Sequence, residues 1–104
     1  MQENKNLDVF VVSANPGQSP IETLGPDRAY VTGRNGQRTL RVGDVFNAVL
    51  RGEVPLGMAI SLKIVAIEAY RRKLPDLDRG MTASLELHGN GIALIRDGDL
   101  LGFG

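Results

Sequence analysis

The chain has 104 residues, of which 42% are apolar, so one packed domain is expected and a disordered chain is excluded. Its 12 basic and 12 acidic residues leave no net charge, so nucleic-acid binding would require a local basic patch. There is no cysteine, which excludes a disulfide framework, thiol catalysis and Cys-based zinc sites and fits a cytoplasmic location.

No segment resembles a membrane anchor. Nothing approaches the ~20-residue apolar run of a membrane helix, and Met1 to Asp8 lacks the apolar centre of a signal peptide. We therefore expect a protein with no membrane contact.

Glycine and proline lie between short apolar runs, which predicts many short strands joined by turns, as in an all-β barrel or sandwich. A first strand is predicted from Asp8 to Ala14. Asn15 to Asp27 contains three prolines and two glycines and is predicted to be a long surface loop. Ala29 to Thr32 and Arg38 to Val42 are predicted to form a hairpin, because the intervening segment contains Asn-Gly, which suits a tight turn.

Two segments are ambiguous on periodicity alone. Asp44 to Gly52 and Ser61 to Leu74 both permit an amphipathic helix. As a strand, the second segment would bury Leu62 and Ile64 on one face and would need Ile67 covered on the other, as at a bulge or a barrel crossing. The pattern by itself leaves helix and strand open in both segments.

Met81 to His88 alternates strictly between apolar and polar residues, which predicts a strand with one wet face. The polar positions are Thr82, Ser84, Glu86 and His88.

Catalytic and ligand-binding motifs are absent from the sequence. It contains no phosphate-binding Gly-x-x-x-x-Gly-Lys loop and no Gly-x-Ser-x-Gly elbow. His88 is the only histidine and is expected on the surface. The pairs Asp76/Asp78 and Asp97/Asp99 are predicted to stabilise turns, where aspartate bonds the local backbone. No enzyme, metal or cofactor is therefore expected.

Arg71, Arg72 and Lys73 form the densest basic run. Such a run is usually the solvated end of a strand, and its functional interpretation is a small patch that contacts RNA phosphates. Aromatic rings of the kind that stack on bases in nucleic-acid sites occur at Tyr30, Phe10 and Tyr70. Aromatic residues in strands more often pack in the core.

Five stretches along the chain each end a strand or form a turn, and their order and spacing are typical of one known domain. They are Tyr30-Val-Thr-Gly-Arg34, Leu40-Arg-Val-Gly-Asp44, Val65 to Lys73 followed by Gly80, Leu85-Glu-Leu-His-Gly89, and Arg96-Asp-Gly98 followed by Leu100-Leu101. Together they resemble the β-barrel that follows the GTPase domain in elongation factor Tu and related translational GTPases, and they cover most of the chain.

The resemblance implies a closed or nearly closed antiparallel Greek-key-type β-barrel of about six strands. Residues 1–104 would form this single domain, without a GTPase domain and with an inserted loop at about 15–28. The resemblance also decides for strands in the two ambiguous segments.

In elongation factor Tu this barrel helps to hold the aminoacyl end of tRNA, and the resemblance carries a pocket over to this chain. Here Thr82 replaces an asparagine of the family, and Glu86 replaces a leucine and puts a carboxylate where phosphate would be repelled. The inserted loop would also cover or rebuild the pocket. The implied pocket residues are Asp8, Phe10, Tyr30, Thr32, Thr82 and Glu86.

Two functions from different classes follow. In the first, the barrel is a non-catalytic protein-interaction module whose inserted loop contacts a partner, such as a GTPase or a ribosomal component, through Ile21 and Leu24. In the alternative, the barrel is an RNA- or tRNA-binding module associated with translation. The zero net charge, Glu86 and the proline-rich loop favour interaction with a protein.

Overall fold

The computed structural model describes residues 10–36, 38–52, 54–56 and 59–103. In these ranges the chain consists of short strands and one 3-10 turn, Ile92–Leu94, and no helix is long and apolar enough to cross a membrane. The strands are β1 (Phe10–Val12), β2 (Ile21–Gly25), β3 (Arg28–Asn35), β4 (Leu40–Arg41), β5 (Val45–Phe46), β6 (Ala48–Arg51), β7 (Val54–Pro55), β8 (Ser61–Ala69), β9 (Arg72–Leu74), β10 (Asp76–Leu77), β11 (Thr82–Asn90) and β12 (Leu100–Gly102).

Ten strands form one antiparallel sheet that wraps around a single core as a partial barrel. The main path runs β5-β8-β11-β3-β1-β12-β6-β7, with β2 added beside β3 and β9 beside β8, while β4 and β10 form a separate pair. The all-β antiparallel architecture is thus confirmed, although it is built from more and shorter strands than the predicted six. Complete closure and a Greek-key connection stay predictions.

The predicted alternation of β11 is confirmed. Ala83, Leu85 and Leu87 are buried in the core, and the intervening residues of the strand face outwards. The same core contains four further side chains that are completely buried: Leu62, Ile64, Phe10 and Phe46. One continuous apolar interior therefore supports the sheet from inside.

Both ambiguous segments are strands. Along β8 the register against β11 shifts, because Glu86 lies opposite Ala66 whereas Leu87 lies opposite Ile64, which leaves Val65 as an extra residue. This is a β-bulge, one of the two alternatives that the strand interpretation of this segment allowed. It changes the parity of the buried positions and so conceals the strand in a simple alternation pattern.

The predicted hairpin between Ala29–Thr32 and Arg38–Val42 is wrong. Strand β3 continues to Asn35 without turning, and β4 pairs with β10. The physical reason is the buried Asn35 side chain, whose Nδ2 donates to the carbonyl oxygens of Arg38, Leu77 and Asp78 at 2.7, 3.1 and 3.2 Å. These bonds anchor the end of β3 to the β10 region instead of reversing the chain.

The predicted surface loop from Asn15 to Asp27 needs a second correction, because it contains strand β2 paired with β3. Pro20 and Pro26 flank this strand and do not interrupt it, so neither removes a donor from the ladder. The Thr32 N–H donates to the Pro20 carbonyl at 2.7 Å. Much of the insertion is therefore part of the sheet.

Replacing Asn35 by alanine is expected to lower the free energy of unfolding by about 1–3 kcal/mol, because three carbonyls would lose their donor. Urea denaturation measures the loss. Asn90→Ala, at an exposed position in β11, is the matched control and should change little. Equal effects of the two substitutions would contradict the anchoring role of Asn35.

Candidate functional site

The outer face of the sheet carries two rows of polar side chains that the strand register brings side by side. Tyr30 of β3 lies between Glu22 of β2 and Glu86 of β11. One step along the strands, Ser84 of β11 lies between Thr32 of β3 and Glu68 of β8. Residues from four strands thus meet on one surface.

A cleft of about 270 Å³ opens on this surface, and we refer to it as the Tyr30 cleft. The Tyr30 side chain is 38% exposed, so part of its ring is available to a ligand. The lining residues are Ser19, Pro20, Glu22, Tyr30, Thr32, Glu68 and Ser84.

Short hydrogen bonds fix the floor and the rim of the cleft. The hydroxyls of Thr32 and Ser84 are 2.8 Å apart across β3 and β11. On the rim, the Ser19 hydroxyl donates to the Ile21 carbonyl and accepts from the Ile21 N–H. The hydroxyl groups are therefore held in place before any ligand arrives.

Carboxylates dominate the electrostatics of the cleft. Glu22 and Glu68 are exposed and make no ion pair within the described residues. Glu86 differs, because its Oε2 lies 2.8 Å from Nε2 of His88 on the same face. Two carboxylates beside an aromatic ring attract a cation and repel phosphate. Lys73 lies opposite Glu68 in the ladder of β8 with the following strand and offsets part of the Glu68 charge.

Not all predicted pocket residues lie in the cleft. Tyr30 and Thr32 line it together, and Glu86 lies opposite Tyr30 but is bonded to His88. Thr82 lies opposite Arg34, beyond the cleft. The prediction that Phe10 lines the pocket is wrong. Its side chain is completely buried in the core, with its ring centroid 6.4 Å from that of Phe46. Asp8 lies outside the described residues.

Sequence reasoning missed Glu22, Glu68 and Ser84 as lining residues. Ser84 follows the same alternation as Thr82 and was recognisable as a residue of the wet face. Glu22 lay in a segment predicted to be a loop, and Glu68 followed a bulge. Their positions depend on strand register, which local sequence does not reveal.

The predicted partner residues of the inserted loop, Ile21 and Leu24, lie in β2. Ile21 is opposite Val31 and packs partly buried against the core. Leu24 is half-buried, at an irregularity of the β2–β3 register. Much of the apolar surface of this pair is therefore used within the domain, and contact with a partner stays a prediction.

The predicted basic patch lies at the tip of the β8–β9 hairpin, where Ala69 pairs with Arg72 around the two-residue turn Tyr70–Arg71. Both turn residues have positive φ, 54° and 62°. This conformation costs a residue with a side chain roughly 1–2 kcal/mol. The Tyr70 side chain is 80% exposed, so it does not pack in the core.

A separate ion pair lies between β6 and the turn before β12. Arg51 donates to both carboxylate oxygens of Asp99 at 2.9 and 2.8 Å and to the Leu94 carbonyl at 2.7 Å. Burial alone would raise the pKa of Asp99, but the hydrogen bonds from Arg51 and the Arg96 N–H, with the nearby positive charges, outweigh burial and lower it. This pair joins structural elements, away from the cleft.

The described part of the chain contains no group of three or more His, Cys, Asp or Glu residues placed to hold a metal ion. The polar groups of the cleft are hydroxyls and carboxylates on separate strands. They suit hydrogen bonding and attraction of a cation.

No protein-family profile matches the chain, and comparison with curated proteins finds no match. Among solved structures, the chain is similar to translation elongation factor SelB from Methanococcus maripaludis in its apo form, with a TM-score of 0.70 and 17% sequence identity. The similarity covers 91% of this chain but only 18% of SelB. The chain therefore has the fold of a translation elongation factor β-barrel domain of the elongation factor Tu type.

Proposed function

We propose that this chain is a non-catalytic, translation-related binding module that takes a Lys or Arg side chain of a protein partner into the Tyr30 cleft. The observation that carries the proposal is the pair of exposed carboxylates, Glu22 and Glu68, beside the part-exposed Tyr30 ring. A cation gains from both, through charge attraction and through contact with the ring face.

The same charges disfavour an RNA backbone in this cleft, because phosphates would approach two carboxylates without a compensating cation on the cleft lining. This supports a protein ligand over a nucleic-acid ligand at this site. It also agrees with the zero net charge of the whole chain.

The fold shared with SelB supports a partner in translation. Of the two partner classes suggested by the sequence, a ribosomal component has the matching charge, because ribosomal proteins are rich in Lys and Arg. The cleft would then bind a basic side chain while the surrounding sheet face supplies polar contacts.

The test is an NMR titration of the ¹⁵N-labelled protein with a short Lys-Gly peptide. Its N-terminus is acetylated, so that the lysine side chain carries the only positive charge. Amide shifts should concentrate at Tyr30, Thr32 and Ser84. The double change Glu22→Gln and Glu68→Gln should weaken binding about tenfold, because both attractive charges are removed.

The matched control is Asp27→Asn with Asp97→Asn, which changes the net charge equally at exposed carboxylates outside the cleft. If the control weakens binding as much as the cleft variant, the peptide senses only overall charge and the proposal fails. Affinity capture from source lysate after ribonuclease treatment then asks whether a natural basic partner is lost with the same cleft variant.

A further inference from the structure

The tip of the β8–β9 hairpin presents a second surface, distinct in charge from the Tyr30 cleft. Its apex is the turn Tyr70–Arg71, and Arg72 and Lys73 follow on β9. We refer to these four residues as the hairpin tip. The surface was singled out in the sequence for its charge, and the structure adds the exposed ring.

Backbone conformation at the apex is unusual. A two-residue hairpin turn with two positive φ angles normally carries Asn-Gly or a similar pair, because these residues adopt that conformation readily. Here Tyr70 and Arg71 adopt it, with φ of 54° and 62°. Residues other than glycine in such strained backbone conformations cluster at functional sites.

The Tyr70 ring has the largest exposed fraction among the large hydrophobic side chains described, 80%. Its position in the turn sends the side chain away from the core, where a ring would ordinarily pack. A ring this exposed is available for stacking against a flat partner.

The charged side chains of the tip are all positive. Arg71, Arg72 and Lys73 are all exposed, and none forms an ion pair within the described residues. Glu68 lies opposite Lys73 and offsets part of its field. Arg71 and Arg72 have no carboxylate opposite them in the ladder, because Arg72 pairs with Ala69.

We propose that the hairpin tip binds single-stranded RNA, with Tyr70 stacked on a base and the three cations near phosphates. A polyanion with exposed flat rings matches both features of the tip, whereas an acidic peptide matches only the charge. A duplex keeps its bases stacked inside and offers no ring to Tyr70. The tip and the Tyr30 cleft would bind different ligands, although Glu68 of the cleft lies opposite Lys73 of the tip.

Fluorescence anisotropy of a labelled eight-nucleotide oligouridylate, at about 50 mM salt, measures the binding. Tyr70→Ala should weaken it about tenfold, whereas Tyr70→Phe, which keeps a ring, should stay within about twofold. Arg72→Ala should also weaken it. Lys63→Ala, on β8 towards the opposite end of the strand, is the matched cation control and should leave binding unchanged. The three cations predict a slope of about −2 for log K against log salt.

Stacking has its own optical signal. The chain has two tyrosines and no tryptophan, so Tyr30→Phe leaves Tyr70 as the sole tyrosine fluorophore. Its emission should be quenched when the oligonucleotide binds.

Three results would overturn the proposal. One is equal binding of the RNA by Tyr70→Ala and the unchanged protein. Another is equal affinity for a duplex of the same length. The third is displacement of the RNA by poly-glutamate at the same charge concentration, which would show that the tip recognises charge alone and fits an acidic protein.

Discussion

Replacing Asp99 by asparagine is expected to lower the free energy of unfolding by about 2–3 kcal/mol. Asp99 is 1% exposed and accepts from Arg51 and from the Arg96 N–H. Asparagine has nearly the same shape, but its amide N–H₂ cannot accept from Arg51, and the attraction between the two charges is lost. Urea denaturation at pH 7 measures the loss.

The effect should depend on pH in a defined direction. The pKa of Asp99 lies below its ordinary value of 3.8 in the folded protein, so between the two values the unfolded chain binds more protons than the native one. The stabilisation by ionised Asp99 is therefore complete well above pH 3.8 and declines as the pH falls through the lowered pKa. The difference between the Asp99→Asn variant and the unchanged protein should shrink over that same acidic range.

Asp97→Asn provides the control, because Asp97 is exposed and lies two residues away in the same turn. It should change the unfolding free energy by less than about 0.5 kcal/mol. A difference for Asp99→Asn that is equally small, or that grows as the pH falls, would contradict the role assigned to the buried carboxylate.

Replacing Gly33 by alanine is expected to destabilise the domain by about 3 kcal/mol. Gly33 is the glycine of the Val-Thr-Gly-Arg stretch, and it lies within β3 opposite Val12 and Ala83. A Cβ there would collide with the Val11 carbonyl oxygen and the Phe10 ring. The backbone oxygen cannot move without breaking the pairing of β1 with β3.

Gly25→Ala is the matched control, since this glycine also lies in a strand and does not have a positive φ. A Cβ at Gly25 would meet only the flexible Arg28 side chain, at 3.7 Å. Thermal or urea unfolding of the two variants compares a blocked position with an open one. Similar midpoints would show that the close approach at Gly33 relaxes easily.

The sequence predicted the fold class well where local pattern and burial agree. The alternation in β11 sufficed because every second residue faces the core. The Val65 bulge removed that signal from β8, so the resemblance to the elongation factor Tu barrel was needed to recognise it as a strand. The hairpin prediction failed because the Asn-Gly signal is local. The Asn35 amide instead donates hydrogen bonds to the carbonyls of Leu77 and Asp78, which are 42 and 43 positions further along the chain.

The candidate site was only partly predictable for the same reason. Tyr30 and Thr32 came from the resemblance, and both line the cleft. Glu22 and Glu68 come from strands whose neighbours are set by register, and Asp99 pairs with a residue 48 positions away. Interactions between distant residues leave no periodic trace in the sequence.

The pairing of β1 with β12 has a consequence for how this barrel can be carried in proteins. Phe10 lies directly opposite Leu101, so the chain enters and leaves the described barrel on adjacent strands about 5 Å apart. A host chain can thus receive the barrel at a single surface point without unpairing any strand. In SelB, the part that matches this barrel is 18% of a longer chain.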